Sequence, residues 1–138
     1  MILAMLLAAA GIPAADKTPA AARAVVQRYY DAIEHGRYRT AYALWSRDGR
    51  ASGKSYAEFV RGFARTAHSR VVAGQPTDGE GAAGSLFITV PVTVTAMLKN
   101  GARQRYRGSY TLRRVNDVPG ATPAQLRWHI DSARLRSA

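Results

Sequence analysis

This chain of 138 residues contains no cysteine. That absence excludes disulfides, zinc–thiolate sites, thiol nucleophiles and lipidation on cysteine. The fold must therefore be held by an ordinary hydrophobic core, and a chain of this length is long enough to build one within a single domain.

Acidic residues and lysines are scarce as well. Nine acidic residues stand against 20 basic ones, a formal net charge of +11, and only Lys17, Lys54 and Lys99 are lysines. A basic surface favours anionic partners, so binding to an anionic polymer or to a membrane surface is one alternative for the function. The arginines are nevertheless spread along the chain without a run of five, which is typical of a solvated surface.

Nucleic acid is not the expected partner. Alternation places Arg105, Arg107 and Arg113 on one face of a strand, and Arg127 lies on the next strand. Recognition of nucleic acid favours aromatic side chains that lie between the arginines and stack on bases, and this face has none.

The segment 1–15, MILAMLLAAAGIPAA, is a short apolar run followed by small residues. It is short for a membrane span and resembles the apolar region and cleavage zone of a secretory signal, although no basic residue precedes the run. We expect a periplasmic or secreted bacterial protein, with a signal-like segment and linker at 1–19 and one domain at 20–138.

Helical periodicity follows this segment. Thr18 and Pro19 suit a helix start, while His35 in the last turn and Gly36 beyond it are typical of a helix end. The apolar face of this first helix comprises Ala22, Val26, Tyr29, Tyr30 and Ile33. The spacing therefore predicts a helix that ends near residue 35.

Two shorter helices are predicted next. The stripe of the second comprises Tyr38, Ala41, Tyr42 and Trp45. Ser55 and Glu58 have the spacing of a capping box, which predicts the start of the third helix. The apolar face of the third comprises Tyr56, Phe59, Val60, Phe63 and Ala67.

The period then changes to two, the signature of strands with one buried face. Four strands are predicted: Arg70–Pro76, Leu86–Leu98, Arg103–Val115 and the alternating Leu126, Trp128 and Ile130. Residues 78–84 and 116–123 are predicted loops, and Asn100-Gly101 predicts a hairpin turn. Pro91 predicts an edge or a bulge in its strand, and Gly108 a bulge or sharp curvature.

The segment VVQRYYDAIEHGRYRTAYALW, residues 25–45, resembles the opening of nuclear transport factor 2-like domains. The long alternating strands, the strand with Gly108 and the closing RWHI are similar to the cone-shaped sheet of that superfamily. The resemblance implies an α+β fold, with three N-terminal helices packed on a strongly curved, mostly antiparallel four-stranded sheet. It also implies a pocket at the open end of the cone.

Aromatic side chains with one polar tip are the candidates for that pocket, because they suit an apolar ligand. They are Tyr30, Tyr42, Trp45, Tyr110 and Trp128. The expected function is therefore non-catalytic binding of a small apolar ligand or a partner, with a homodimer through the sheet face as a further expectation.

The alternative is a lyase or isomerase acting on a small hydrophobic substrate. His129 and Asp131 are two apart on a strand, so they share a face, and a carboxylate can orient an imidazole as general base. That face lies opposite Trp128 and Ile130, which are predicted to point inward. Enzymes of the resembled superfamily, such as ketosteroid isomerase and scytalone dehydratase, carry such groups inside the cone.

No metal or cofactor is expected. The three histidines, His35, His68 and His129, lie far apart and have no metal-ligand spacing. The stretch Gly79–Gly84 has the spacing of a dinucleotide fingerprint, but it leads into a strand rather than into the helix that binds the pyrophosphate. Asp48 falls in a glycine-rich loop that reads as exposed.

Overall fold

A capped helix opens the described part of the chain, which in this computed structural model comprises residues 16–138. Helix α1 spans Pro19–Glu34, and the Thr18 hydroxyl accepts a hydrogen bond from the backbone N–H of Ala21. Gly36 follows the helix with a φ of 71°, a conformation that favours glycine. The predicted start and end of this helix are confirmed, whereas the predicted signal segment lies outside the described residues.

Two short helices follow. Helix α2 spans Tyr38–Ala43 and α3 spans Tyr56–Arg61, with a 3-10 turn between them. The capping box of Ser55 and Glu58 is present with both of its hydrogen bonds. Helix α3 is shorter than predicted, because the chain leaves the helix at Gly62 in successive turns and Ala67 already lies in a strand.

The described residues then form one sheet of five strands, with every strand pair antiparallel. The spatial order is β1, β3, β4, β5, and the short β2 also pairs with β3. In chain order the strands are β1 Thr66–Ala73, β2 Glu80–Ala82, β3 Ser85–Leu98, β4 Arg103–Val115 and β5 His129–Ser137. The predicted α+β class, with three helices on a mostly antiparallel sheet, is confirmed.

The strands differ from the predictions in detail. Strand β2 lies inside a predicted loop, because Ala83 and Gly84 both have positive φ and close a tight hairpin onto β3. The closing strand begins at His129 rather than at Leu126, since the chain before it is held in turns, and it runs on to Ser137.

The core confirms the predicted alternation of β3. Ile88, Val90, Val92 and Val94 are all at most 4% exposed and belong to one core cluster with the apolar face of α1. Pro91 points to the other face, and its carbonyl accepts a hydrogen bond from Gly74, the first residue after β1. In an antiparallel strand the N–H and C=O of one residue point to the same neighbouring strand, so the N–H that Pro91 lacks would point to the end of β1. This is the predicted local edge.

The sheet curls around α1. The helix touches β1 at one edge of the sheet and β5 at the other. The register of β5 against β4 skips Asp131, so the bulge lies at Asp131 and not at Gly108. Gly108 is instead a point of close approach, because a Cβ there would lie 1.8 Å from the carbonyl oxygen of Arg134. Among the described residues, no helix is long and apolar enough to cross a bilayer.

Replacing Gly108 by Ala should destabilise the fold. The new Cβ meets backbone atoms of β5 that cannot move aside as a side chain could, so we expect a loss of at least about 2 kcal/mol in the free energy of unfolding. Urea denaturation measures it. Gly81→Ala is the matched control, since a Cβ at Gly81 meets no atom closer than 3.9 Å; equal losses in the two variants would contradict the close approach.

Candidate functional site

A half-open cavity of about 610 Å³ lies between the helices and the inner face of the sheet. Its aromatic wall consists of Tyr29, Tyr30, Trp45, Phe59, Phe63, Tyr106 and Tyr110. The neutral polar residues Ser52, Thr66, Ser69, Gln104 and Ser132 also line it, together with Lys54. Its size and its mainly apolar wall with a few polar groups are those of a small-molecule site.

Two tyrosine hydroxyls meet in this wall. Tyr30 of α1 and Tyr110 of β4 are both at most 6% exposed, and their oxygens lie 2.5 Å apart. Burial raises the pKa of Tyr30 to about 12, although its hydrogen bond with Tyr110 opposes the shift. Burial likewise raises the pKa of Tyr110 well above its usual value. Both hydroxyls are therefore neutral at physiological pH, and a pair that shares one hydrogen bond keeps a second O–H free to donate.

Trp45 places its indole ring in the same wall. Its indole Nε1 is buried and has no hydrogen-bond partner of acceptable geometry among the described residues. Burial raises the pKa of the neighbouring Tyr29 hydroxyl, and this effect outweighs the opposing effect of the Trp45 indole. A buried N–H without an acceptor is costly, and an acceptor atom of a bound molecule would relieve that cost.

The backbone around Trp45 explains its position. Ser46 donates from its N–H to the carbonyl of Ile130, and Ile130 donates to the carbonyl of Leu44, at 2.8 Å each. This parallel bridge ties the segment after α2 to the start of β5. The indole ring packs edge-on against Tyr29 and Tyr110, with centroids 6.1 and 6.3 Å away.

Three of the five predicted pocket residues thus come together, namely Tyr30, Trp45 and Tyr110. The other two are buried outside the lining of this cavity. The Tyr42 hydroxyl donates to the carbonyl of Lys54 at 2.7 Å, and the Trp128 indole donates to the carbonyl of Asp16 at 3.1 Å.

His129 and Asp131 lie away from the cavity lining. The His129 ring lies 3.1 Å from the carbonyl of Arg127, and burial lowers its pKa. Its surroundings form a separate pocket of about 390 Å³ that also contains Asp48 and Arg113. The bulge at Asp131 breaks the simple alternation that predicted a shared face for the pair.

A polar contact near the rim of the cavity, formed by Glu34, His68 and Ser69 and called the Glu34 clasp below, was not predicted from the sequence. Glu34, at the end of α1, accepts a hydrogen bond from the N–H of Ser69 at 2.8 Å, and its other oxygen lies 3.0 Å from Nδ1 of His68. These two contacts, the Ser69 N–H first, lower the pKa of Glu34. No local sequence pattern could reveal these partners of Glu34, which lie 34 and 35 residues away.

The described residues contain no cluster of three or more His, Asp or Glu side chains that could hold a metal ion. No protein-family model matches this chain, and no curated protein or solved structure matches it. The residues themselves are therefore the basis for a functional proposal.

A double-mutant cycle tests the hydroxyl pair. Tyr30→Phe or Tyr110→Phe alone leaves one buried hydroxyl unpaired, so each should cost about 1 kcal/mol of unfolding free energy. The double variant should cost less than the sum of the two, with a coupling of about 1 kcal/mol. Urea denaturation at pH 7 measures all four proteins, and strictly additive losses would contradict the pairing.

The raised pKa of Tyr30 predicts a specific alkaline sensitivity. The unfolded state ionises this tyrosine from about pH 10, whereas the folded state resists ionisation until about pH 12. Its contribution to stability is thus complete below pH 10 and is lost as the pH rises from 10 to 12, by about 2 kcal/mol at pH 11.5. Because Tyr30→Phe costs about 1 kcal/mol at neutral pH, the stability curves of the wild type and this variant should converge above pH 10 and cross before pH 11.5, and parallel curves would contradict the shift.

Proposed function

We propose that the domain binds a small, mainly apolar molecule that carries a hydrogen-bond acceptor, and that it does so in the half-open cavity. The observation that carries the proposal is the cavity wall, which combines aromatic rings packed edge-on with neutral buried donors. Those donors are the Trp45 indole N–H and the second hydroxyl proton of the Tyr30–Tyr110 pair.

The neutrality of these groups defines the class of ligand. Tyr30 and Tyr110 remain protonated, and a neutral donor in an apolar wall suits a carbonyl, ether or hydroxyl oxygen better than a full charge, which would lose its hydration there. The aromatic rings supply apolar contact area with few rotamers to immobilise.

Two earlier expectations fit this proposal. A pocket enclosed by a curled sheet and a long helix is what the resemblance to nuclear transport factor 2-like domains implies. A protein exported with a segment such as residues 1–15 would meet small apolar molecules in the cell envelope. Both remain parts of the proposal.

A neutral fluorescent probe tests the cavity directly. 6-Propionyl-2-dimethylaminonaphthalene, a neutral aromatic probe with a carbonyl acceptor, should bind to the full chain with a rise in emission and a Kd in the micromolar range, about −8 kcal/mol. Ala133→Trp should weaken that binding at least about tenfold, because Ala133 lines the cavity next to Tyr110 and a tryptophan would fill it.

The matched control is Ala102→Trp, which adds the same ring to an exposed alanine in the turn between β3 and β4. Probe binding that is absent, or that both variants weaken equally, would contradict the proposal. Native mass spectrometry of protein purified from its own host then identifies a natural ligand, whose mass should disappear from the spectrum of Ala133→Trp and persist in that of Ala102→Trp.

A further inference from the structure

Arginine side chains cluster on the outer face of the sheet. The arginine face, as we define it, consists of the exposed side chains of Arg70, Arg103, Arg105, Arg107, Arg134 and Arg136. The strand registers place them together, since they alternate with the inward-facing core positions of β1, β4 and β5. No described helix packs on this face, because the helices cover the opposite one.

These arginines lack acidic partners within the described chain. The ion pairs found among residues 16–138 involve Lys17, His35, His68 and Arg114, and none involves the arginine face. In the strand register, Arg107 of β4 lies directly opposite Arg136 of β5. Like charges placed opposite each other weaken a strand pair, so an external anion would relieve a repulsion built into the sheet.

The arrangement is a two-dimensional array rather than a line. Arg70 on β1 and Arg136 on β5 are separated by three strand spacings, about 14 Å, and alternate arginines along β4 are about 7 Å apart. Apolar side chains lie among them, with Val72 68% exposed in the same cross-strand row as Arg107 and Pro91 exposed in β3. An exposed valine adds little to the binding of a linear polyanion, whereas it can insert into the interface of a lipid bilayer.

We propose that the arginine face is a docking surface for an anionic lipid bilayer. Guanidinium groups pair with lipid phosphates in a bidentate manner, and Val72 and Pro91 contact the boundary between headgroups and acyl chains. Because the cavity opens on the inner side of the sheet, a docked domain keeps its ligand site away from the lipid.

Other occupants of this face fit the array less well. A homodimer through the face would bring two arginine arrays together, which costs free energy unless anions lie between them. Single-stranded nucleic acid would find no aromatic residue among the arginines on which to stack its bases.

Vesicle co-sedimentation tests the docking. The full chain should bind vesicles that contain phosphatidylglycerol, bind pure phosphatidylcholine vesicles at least about tenfold more weakly, and lose affinity steeply with added salt. Each arginine at an anionic surface contributes about fivefold to partitioning, so Arg105→Gln, Arg107→Gln and Arg134→Gln combined should reduce binding about 100-fold.

The matched control removes the same charge from the helical side, with Arg28→Gln, Arg37→Gln and Arg61→Gln, and should change binding less than about fivefold. Equal losses in the two triple variants would overturn the proposal in favour of net charge alone. Equal binding to neutral and anionic vesicles would overturn it in favour of apolar insertion elsewhere, such as by residues 1–15. Retention on heparin without any vesicle binding would overturn it in favour of an anionic polymer.

A label reports the point of contact. Since the chain has no cysteine, Val72→Cys gives a single site for an environment-sensitive fluorophore. Its emission should shift to the blue when phosphatidylglycerol vesicles are added, whereas the same label at Arg28→Cys on α1 should not shift. A shift at Arg28→Cys and none at Val72→Cys would mean that the opposite face docks.

Discussion

The packing of α1 against the inner face of the curled sheet is the contact on which the rest of the structure depends. The helix supplies Tyr29, Tyr30 and Ile33 to a core whose other wall is the even-numbered residues of β3. Each fully buried side chain of this kind contributes about 1.5–3 kcal/mol. The same contact determines the cavity, because α1 touches both edges of the sheet and the strands curve around it.

Where the sequence anticipated the structure, the signals were local. A cap such as Ser55 with Glu58, or an alternation such as that of β3, depends only on residues within one helical turn or one strand. Pro91 could be placed at a local edge for the same reason, since a residue without an N–H restricts its own strand.

The sequence missed features that depend on distant partners. The Glu34 clasp joins residues of different elements, and the need for glycine at position 108 arises from the backbone of β5. One extra residue, Asp131, changes the pairing of the closing strand, so the simple alternation that placed it on one face with His129 is interrupted there. Tyr30 and Tyr110 could be predicted as pocket residues but not as a hydrogen-bonded pair, because only the tertiary fold brings them together.

Strand β4 shows how one alternating sequence builds two surfaces of opposite character. Its inward residues include Tyr110 and Leu112, while its outward residues include Arg105 and Arg107. Because side chains alternate with a period of two, a slip of one residue would bury the arginines and expose the core. Burying a charge without a partner costs far more than the hydrogen bonds of the ladder can offset. The arginines thus help to define the register that keeps charged side chains of β4 out of the tyrosine wall, so the basic outer face and the aromatic inner face are two consequences of the same strand.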